Sequence, residues 1–290
     1  MRPDVIAVGD VMLDVAVDAE ELARGGDVHG EVVVRPGGSA ANAAVWAAAE
    51  GARVRLHGRV GADLAGRLVR EAVTERGVEP ALVVDPEVRT GAVMVALESW
   101  ERSMVADRGA NARFSPNDLP EVLEAGAVLV SGYLLFHPGS EAGGRAALER
   151  ARAEHVAVDA ASWPLLRDLG PGRFLEAVRP ATMLLLNGKE ADTLAGPDPE
   201  AAAARLVERF AVVAVKLGPE GVVVGTPDRV QRFPVEPVAE ADPTGAGDAF
   251  DGVLLAALAR GASLDEAVRR GCAAGATVAA SSSSWPDARP

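Results

Sequence analysis

Short runs of β-branched and aliphatic residues alternate along this chain with alanine-rich helical stretches, and no other feature constrains its fold so strongly. The runs are DVIAVG, RVRLHG, AVLVSG, HVAVDA, TMLLLN and FAVVAVKLG. Stretches such as SAANAAVWAAAEG and DLAGRLVREAVTERG lie between them. Apolar strands that alternate with amphipathic helices indicate βαβ units and a parallel sheet buried on both faces. We therefore predict an α/β fold in which a doubly wound, mostly parallel sheet is flanked by helices.

Capping residues mark several predicted helix ends. Gly51 and Gly77 follow helical stretches, and glycine commonly stands just after the last helical residue. Ser39 precedes an apolar helical run, so we expect it to be the N-cap of that helix.

Two segments interrupt this rhythm with alternating apolar and polar residues. They are residues 13–35 and 90–106, and we expect the second to be a hairpin that turns near residues 99–101. Paired strands inserted in a βαβ body suggest a small sheet that covers a ligand, although a solvated edge extension fits the same pattern. The predicted domains are an α/β domain of residues 1–12, 36–89 and 107–290 and a β lid of residues 13–35 and 90–106.

Composition limits the partners and the location. The net charge is −13 and basic residues are not clustered, so we expect neither nucleic acid nor a membrane as a partner. No apolar run is long enough to cross a bilayer, and the first residues lack the pattern of a secretory signal. The single cysteine, Cys272, excludes a disulfide framework within the chain. These features favour a cytoplasmic protein.

The segment ADPTGAGDAF at residues 241–250 is the strongest candidate for chemistry. Pro243 disfavours helix at that point, while Gly245 and Gly247 permit a tight turn and a close approach to a ligand. The following run, DGVLLAALARG, is apolar nearly all round, which predicts a buried helix. The N-terminus of such a helix has free N–H groups and a positive dipole end, so it is suited to an anion such as a transferring phosphoryl group.

Asp248 lies in the first turn of this predicted helix. Its carboxylate could accept a proton from an attacking hydroxyl beside those N–H donors. Phosphoryl transfer requires little of a protein beyond positioning, neutralising charge and orienting the nucleophile, so this combination suffices. In an ordinary helix, an aspartate at this position would merely complement the dipole. The neighbouring glycines favour the catalytic interpretation.

Two long stretches of the chain resemble a known family. DPTGAGDAFDGVLLA resembles the C-terminal signature of the ribokinase-like carbohydrate kinases, the PfkB family, and GGSAANAAVWAAAEGARVRLHGRVGADLAGRLV resembles its N-terminal signature. The resemblance implies a ribokinase-like fold with a small β-sheet lid. It also implies a kinase that uses ATP and Mg²⁺ to phosphorylate a hydroxyl group, in particular a hydroxymethyl group, of a sugar or sugar derivative.

The resemblance also assigns site residues. It makes Asp248 the catalytic base, with an anion hole formed by Gly245, Ala246 and Gly247. It places substrate hydroxyls beside Asp14, Gly37, Gly38 and Asn42. From the residues alone, an ordinary turn explains the glycine pair and an exposed helix position explains Asn42. Arg108, which follows the predicted hairpin, is a further candidate for substrate binding, although a plain loop fits it equally well.

On the nucleotide side the resemblance concerns four places in the chain. Asn187 and Glu190 resemble the element that orders Mg²⁺ and its waters, although a capping motif has the same pattern. Lys216, Gly218 and Gly221 resemble the ATP-binding loop, which in isolation would be a hairpin with one exposed lysine. A monovalent cation such as K⁺ is a further expectation at Asp242. Asp159 is followed by two alanines where many family members have Asp-x-Asn.

Several alternatives stay open at this stage. A nucleoside kinase would use the same fold, but Trp100 is the only aromatic residue in the predicted lid, which favours a bare sugar. A ligand sensor without catalysis is a second alternative, and a nicotinamide-dependent oxidoreductase is a third that lacks its dinucleotide fingerprint. The alternation in residues 31–35 and 91–97 would permit a homodimer through the lid.

Overall fold

The computed structural model describes residues 2–19, 25–98, 101–239, 242–281 and 283–286. The strands are β1 (Val5–Val8), β2 (Met12–Ala19), β3 (Glu31–Gly37), β4 (Val54–Gly61), β5 (Val78–Asp85), β6 (Gly91–Glu98), β7 (Glu101–Asp107), β8 (Leu123–Glu124), β9 (Ala127–Ser131), β10 (Ala151–Arg152), β11 (His155–Asp159), β12 (Met183–Asn187), β13 (Val212–Lys216), β14 (Val222–Thr226) and β15 (Arg229–Phe233). The helices are α1 (Ser39–Ala49), α2 (Leu64–Glu75), α3 (Glu141–Arg150), α4 (Trp163–Leu169), α5 (Pro171–Ala177), α6 (Gly188–Ala195), α7 (Pro199–Leu206), α8 (Ala246–Ala259) and α9 (Leu264–Ala279).

Nine strands form one large sheet in the order β15-β14-β13-β12-β11-β9-β1-β4-β5. All neighbours from β13 to β5 are parallel, and only β14 and β15 pair in the antiparallel direction at one edge. The predicted α/β fold class is therefore confirmed. The central strands are apolar on both faces because helices cover both of them.

The two faces of the large sheet carry separate hydrophobic cores. Helices α1, α2, α8 and α9 cover one face, and α3 to α7 cover the other. The helix α8 is buried over nearly its whole length, as its apolar sequence predicted. Residues that alternate along a strand therefore enter different cores, as Ile6 and Ala7 of β1 do.

A small sheet stands apart from the large one and consists of β3, β2, β6 and β7 in that order. It is formed by the two segments whose alternating pattern interrupts the α/β rhythm. Strands β6 and β7 pair in the antiparallel direction from Ala92 to Glu98, whereas the turn between them, with Trp100, lies outside the described residues. The division of the chain into an α/β domain and a lid stays a prediction.

The order of the strands reverses at β1. The chain runs outward from β1 to β4 and β5 on one side and to β9 and the later strands on the other. In open α/β sheets, ligands bind beyond the carboxyl ends of the strands at such a switch point. Polar residues at or just after these ends, among them Asp10, Asp159, Asn187 and Lys216, therefore lie at the same edge of the sheet.

The structure corrects one predicted helix end. Gly38, with a φ of 99°, is the N-cap of α1, whereas Ser39 is the first helical residue and its hydroxyl group makes a tertiary contact. Ser39 was therefore wrongly predicted as a cap. The glycine ends are confirmed, since Gly51 and Gly77 have φ values of 92° and 80°. None of the helices in the described part of the chain has the length and apolar character needed to cross a bilayer.

Candidate active site

A pocket of about 420 Å³ lies at the carboxyl ends of the strands, beside the N-terminus of α8. Its walls include Asp248, the loop from Lys216 to Gly221, and Asn187 at the end of β12. Residues from α9, including Cys272, close the apolar side. The pocket therefore joins three segments that the sequence singled out, although they are distant in the chain: residues 187–190, 216–221 and 243–248. Asp14, Gly37, Gly38, Asn42 and Arg108 are not among its lining residues.

The turn before α8 places the first residues of that helix at the pocket. Asp242 Oδ1 accepts hydrogen bonds from the backbone N–H and the hydroxyl group of Thr244, which fixes the turn. Gly245 follows in the left-handed conformation with a φ of 84°. The Ala246 N–H donates to the Pro243 carbonyl oxygen at 3.1 Å, so this amide is already used within the turn.

Asp248 is held from α1 by two hydrogen bonds. Ser39 Oγ donates to Asp248 Oδ1 at 2.9 Å, and Asn42 Nδ2 donates to Asp248 Oδ2 at 2.8 Å. Burial raises the pKa of Asp248 to about 6, although the bonds from Asn42 and Ser39 favour the ionised form and oppose the shift. The carboxylate is thus oriented, and its pKa lies close to neutral pH.

The glycine pair before α1 is closely packed. A Cβ atom on Gly37 would lie 2.2 Å from Asp14 Oδ2 and would displace the Asp14 carboxylate. A Cβ atom on Gly38 would lie 2.4 Å from the Asp10 carbonyl oxygen, so it would clash with the backbone after β1. The structure thus brings Asp14 directly against the turn that leads into α1.

The guanidinium group of Arg108 is occupied within the protein. It forms a bidentate ion pair with Asp10, in which Nη2 lies 2.5 Å from Oδ1 and Nε lies 3.2 Å from Oδ2. Its third nitrogen, Nη1, donates to Ser140 Oγ at 3.0 Å. Because Asp10 is buried, this pair compensates a carboxylate at the end of β1. Arg108, which follows β7, therefore ties the end of that strand to the end of β1 through Asp10.

At the end of β13, Lys216 is at the centre of an ion cluster. Its Nζ lies 2.6 Å from Asp159 Oδ2 and 2.9 Å from both carboxylate oxygens of Asp251. Burial alone would lower the pKa of Lys216, but the attraction of the two aspartates outweighs it and raises the pKa. A Cβ atom on Gly247 would lie 3.4 Å from Nζ, so the ammonium group lies next to the first turn of α8.

Two glycines follow Lys216 in the wall of the pocket. Gly218 and Gly221 have φ values of 58° and 87°. A Cβ atom on Gly221 would lie 2.1 Å from the Phe233 carbonyl oxygen. These glycines let the loop turn tightly between β13 and β14 at the edge of the pocket.

Asn187 and Glu190 form a capping box at the start of α6. Glu190 N donates to Asn187 Oδ1 at 3.0 Å, and the Glu190 carboxylate accepts from the backbone and side-chain nitrogens of Asn187 at 2.7 and 2.6 Å. The capping motif is therefore present, and both residues also line the pocket. Burial, together with repulsion by Asp159, raises the pKa of Glu190 to about 7.

The donor set of this cap fits a hydrated magnesium ion. Each Glu190 oxygen accepts one hydrogen bond, which leaves lone pairs for metal-bound water, and Mg²⁺ prefers oxygen ligands and retains several waters. Within the described ranges, no group of three or more His, Cys, Asp or Glu side chains could hold a metal ion by itself. The protein residues thus suit an ion that nucleotide phosphates and water coordinate directly.

The sequence did not single out several residues of the site. Asp251 could have been noticed as an acidic residue one turn after Asp248 in an otherwise apolar helix. Burial, together with the negative charges of Asp248 and Asp159, raises the pKa of Tyr133, the only tyrosine of the chain. Trp285, in the serine-rich tail, donates its indole N–H to Asn42 Oδ1 at 2.7 Å, and no local pattern indicated that contact.

A comparison with known protein families identifies the family of this chain. The model of the pfkB family of carbohydrate kinases matches residues 2–287, which is nearly the whole chain. The chain belongs to the pfkB family. As a pfkB carbohydrate kinase, it is a phosphotransferase with an alcohol group as acceptor, and the predicted family and enzyme class are confirmed.

Individual relatives of this pfkB kinase act on different acceptors, as their names say. A fructokinase from Klebsiella pneumoniae is 31% identical over 272 residues, which cover 89% of this chain and 85% of that protein. The structure of an adenosine kinase from Sinorhizobium meliloti matches with a TM-score of 0.88 at 24% identity and covers 99% of this chain and 96% of that one. A fructokinase from Vibrio cholerae, solved with fructose, ADP and calcium ion, matches with a TM-score of 0.81 at 25% identity and covers 97% and 94%. This pfkB kinase is thus similar to both sugar and nucleoside kinases.

Proposed function

We propose that this chain transfers the terminal phosphoryl group of ATP to a hydroxymethyl group of a sugar or sugar derivative, with Asp248 as the general base. The observation that carries the proposal is the setting of Asp248 at the N-terminus of α8. Its carboxylate is oriented by Ser39 and Asn42, and its pKa of about 6 lies near neutral pH. A base with this pKa is largely ionised at pH 7 and can accept the proton of an attacking hydroxyl group.

The first turn of α8 supplies the complementary charge. The N–H groups of Gly245 and Gly247 and the positive end of the helix dipole favour the negative charge that develops on the transferring phosphoryl group. The Ala246 N–H contributes only if it leaves the Pro243 carbonyl oxygen, so we assign it the smaller part. The ammonium group of Lys216 adds a fixed positive charge beside Gly247.

We assign the pocket at the carboxyl ends of the strands to ATP. Its walls contain Lys216, Gly218, Gly221 and Asn187, and the apolar residues of α9 suit the base of the nucleotide. Glu190, and Asn187 through water, would hold a magnesium ion, which neutralises phosphate charge when bound. The Vibrio cholerae fructokinase was solved with ADP and a divalent ion, which supports this assignment.

The acceptor would lie between Asp248 and the small sheet. Asp14 packs against the Gly37–Gly38 turn that leads into α1, the helix whose Ser39 and Asn42 contact Asp248. We assign to Asp14 and this turn the role of binding and directing substrate hydroxyls. Asn42 and Arg108 act indirectly in this proposal, since Asn42 orients Asp248 and Arg108 neutralises Asp10. Among the described side chains of the small sheet, the buried ones are Met12, Ala19, Val93 and Val95, and none of them is aromatic, which favours a bare sugar over a nucleoside.

Two further features complete the proposal. A monovalent cation such as K⁺ at Asp242 would neutralise the negative charge in the turn before α8, and exchange of KCl for choline chloride in the kinase assay tests it.

A second copy of the chain would cover the outer face of the small sheet, where Val34, Met94 and Val105 are exposed. Their positions follow one row across the strands, because Val34 pairs with Val15, Val15 with Met94, and Met94 with Val105.

The test is release of ADP from Mg-ATP with a panel of pentoses, hexoses, keto-sugar acids, inositols and nucleosides. Asp248→Asn should lower kcat by at least about 10²-fold while ATP still binds, because the general base is lost. Asp168→Asn, at an exposed carboxylate of α4, is the matched control and should keep full turnover.

Each outcome of the panel decides between functions. One strong sugar acceptor that is silent with Asp248→Asn supports the proposal, and one strong nucleoside acceptor favours the nucleoside kinase. Substantial turnover by Asp248→Asn removes Asp248 from the role of base. Silence across the panel in protein that binds ATP favours a sensor, and absence of ATP binding contradicts the kinase proposal.

A further inference from the structure

The C-terminal segment Ser283–Pro286 packs against the turn that precedes α8. Ser284 and Trp285 are 7% and 8% exposed, so this segment is part of the interior although it has no regular secondary structure. A Cβ atom on Gly245 would lie 2.8 Å from Ser284 Cβ. The tail therefore contacts the turn that begins α8 directly.

A chain of two hydrogen bonds connects this tail to the carboxylate of Asp248. Trp285 Nε1 donates to Asn42 Oδ1 at 2.7 Å, and Asn42 Nδ2 donates to Asp248 Oδ2 at 2.8 Å. Asn42 is 4% exposed, so water cannot easily replace either partner. The two bonds thus involve both polar atoms of the Asn42 side-chain amide, Oδ1 and Nδ2.

The chemistry of the indole group determines the orientation of the Asn42 amide in this pair of hydrogen bonds. An indole N–H donates and never accepts, so its partner on Asn42 must be the carbonyl oxygen Oδ1. The amide group is planar, and once Oδ1 faces the indole, Nδ2 faces Asp248. The opposite orientation would bring two N–H groups together at Trp285 and two oxygens together at Asp248.

We infer that Trp285 is a positioning residue for the general base, because its indole N–H fixes the Asn42 amide in the orientation that donates to Asp248. This inference rests on the proposed role of Asp248. Without the indole N–H, the Asn42 side chain is free to rotate, and the ionised carboxylate loses one of its two hydrogen-bond donors for part of the time. The ionised base then becomes less stable and less well oriented.

The other charged groups around Asp248 do not depend on the tail. The negative charge of Asp159, at the end of β11, raises the pKa of Asp248, and the positive charge of Lys216, at the end of β13, lowers it. The negative charge of Asp248 in turn raises the pKa of Tyr133, which follows β9. Asp251 lies one turn further along α8 and is bonded to Lys216. Among the described residues, none of these groups forms a hydrogen bond or an ion pair with Trp285. A substitution at Trp285 should therefore affect Asp248 through Asn42 and not through these groups.

A second tryptophan provides a matched control. Trp46 Nε1 donates to the Ser284 carbonyl oxygen at 2.9 Å, and Trp46 is 9% exposed. It therefore resembles Trp285 in burial and in the length of its hydrogen bond, but its partner is the backbone of the tail. Arg76 holds the tail independently, since its guanidinium group lies 5.6 Å from the centre of the Trp285 ring and donates to the Pro286 carbonyl oxygen.

The experiment compares the pH profiles of kcat/KM for the wild type, Trp285→Phe and Trp46→Phe between pH 5 and 8.5. Trp285→Phe keeps the aromatic packing and removes the N–H. We expect the acidic limb of its profile, where kcat/KM rises with pH, to move to higher pH by about half a unit or more. Relative to the wild type, kcat/KM should then fall about twofold to fivefold more at pH 6 than at pH 8. Trp46→Phe should leave the limb in place, and KM for ATP should be the same in all three proteins.

Two further measurements separate positioning from a structural effect. In an Asn42→Ala background, Trp285→Phe should move the limb no further, because the two residues act through one bond. In the wild-type protein, the indole N–H resonance of Trp285 should titrate with the midpoint of the kinetic limb and stop titrating in Asp248→Asn, whereas that of Trp46 should not titrate. The resonance measurement applies even if Trp285→Phe does not fold.

The results also separate this inference from the proposed function. An unchanged limb in Trp285→Phe, an equal shift in Trp46→Phe, or a Trp285 resonance that does not titrate would overturn the inference even if Asp248→Asn is inactive. Substantial turnover by Asp248→Asn would instead contradict the role of Asp248 itself.

Discussion

The ionisation of Asp248 determines the pH range in which this protein can accept a proton from its substrate. Burial raises its pKa to about 6, and a general base must be deprotonated, so kcat/KM should rise with pH through about 6 and then level off. Ser39 Oγ donates to the carboxylate and stabilises its charged form. The hydroxyl group of Ser39 thus lowers the pKa of Asp248 relative to burial alone.

Ser39→Ala should therefore move the acidic limb of kcat/KM to higher pH by about half a unit to one unit, with a smaller effect above pH 8. The measurement is the initial rate of ADP release at several pH values. Ser263→Ala, which removes the N-cap bond of α9 at Glu266 N, is a control that should lower stability and leave the limb unchanged. A downward or absent shift in Ser39→Ala would contradict the predicted role of Ser39.

Ala161 has a backbone conformation that alanine rarely adopts. Its φ is 65°, and its N–H donates to Asp159 Oδ1 at 2.8 Å in a turn after β11. The left-handed conformation costs an L-residue about 1–2 kcal/mol, whereas asparagine adopts it more readily. Asparagine should therefore fit this position better than alanine.

Ala161→Asn should raise the free energy of unfolding by about 0.5–1 kcal/mol, measured by urea denaturation without nucleotide. Ala204→Asn makes the same substitution at an exposed right-handed position inside α7 and should instead destabilise by about 0.5 kcal/mol. Equal effects at the two positions would show that backbone conformation is not the cause.

At the scale of elements, Lys216 ties three of them together. It ends β13, and its ammonium group bonds to Asp159 at the end of β11 and to Asp251 in α8. Loss of the cation would leave two buried carboxylates without compensation, which costs about 3–5 kcal/mol. Lys216 therefore contributes to stability as well as to the proposed ATP site.

Lys216→Met should lower the free energy of unfolding by about 3 kcal/mol or more, and Asp251→Asn added to it should restore about 1–2 kcal/mol. Urea denaturation at pH 7.5 measures both effects. Lys189→Met, at the only other lysine of the chain and in an exposed position, should change stability by less than about 0.5 kcal/mol. A Lys216→Met protein as stable as the wild type would contradict this account of the cluster.

The contact between α1 and α8 sets the distance from Ser39 and Asn42 to Asp248. A Cβ atom on Gly252 of α8 would lie 2.1 Å from the Ala43 carbonyl oxygen, so the two helix backbones touch at this glycine. An added methyl group must force the helices apart. That movement would separate the donors on α1 from the carboxylate on α8.

Gly252→Ala should therefore destabilise by about 1–3 kcal/mol and lower kcat at least about tenfold. Thermal unfolding and the ADP-release assay measure the two effects. Gly172→Ala in α5 is the matched control, because an added Cβ there has no heavy atom within 4 Å, and it should keep stability and turnover. Wild-type turnover by Gly252→Ala would show that the helix spacing does not control the base.

At the scale of the whole molecule, the sequence predicted what local patterns determine. The α/β rhythm and the turn before Asp248 were readable because periodicity and glycine spacing are local properties. The partners of Lys216 were not, since Asp159 and Asp251 lie 57 and 35 residues away in the chain and meet it only through the sheet order. Ser39 was mistaken for a cap because its actual partner, Asp248, lies 209 residues away. The tail was predicted only as a loop, since the contact of Trp285 with Asn42 spans 243 residues.

The exposed row on the small sheet concerns the assembly of the whole molecule. Val34, Met94 and Val105 are 52%, 41% and 63% exposed, and they lie side by side across three of the four strands. A contiguous apolar surface of this kind is costly in water and typically marks an interface. A second copy of the same sheet would bury it with two-fold symmetry.

We therefore expect the protein to sediment at twice the mass of the 29.8 kDa chain. Val34→Glu should shift it to the monomer, because a buried glutamate without a partner opposes association. Val122→Glu, at a valine that is 50% exposed outside the small sheet, should leave the dimer intact. A wild-type monomer at micromolar concentration, or a Val34→Glu dimer as stable as the wild type, would contradict this interface. If the dimer forms, the kcat/KM of the Val34→Glu monomer further tells whether the partner also helps to hold the small sheet over the acceptor.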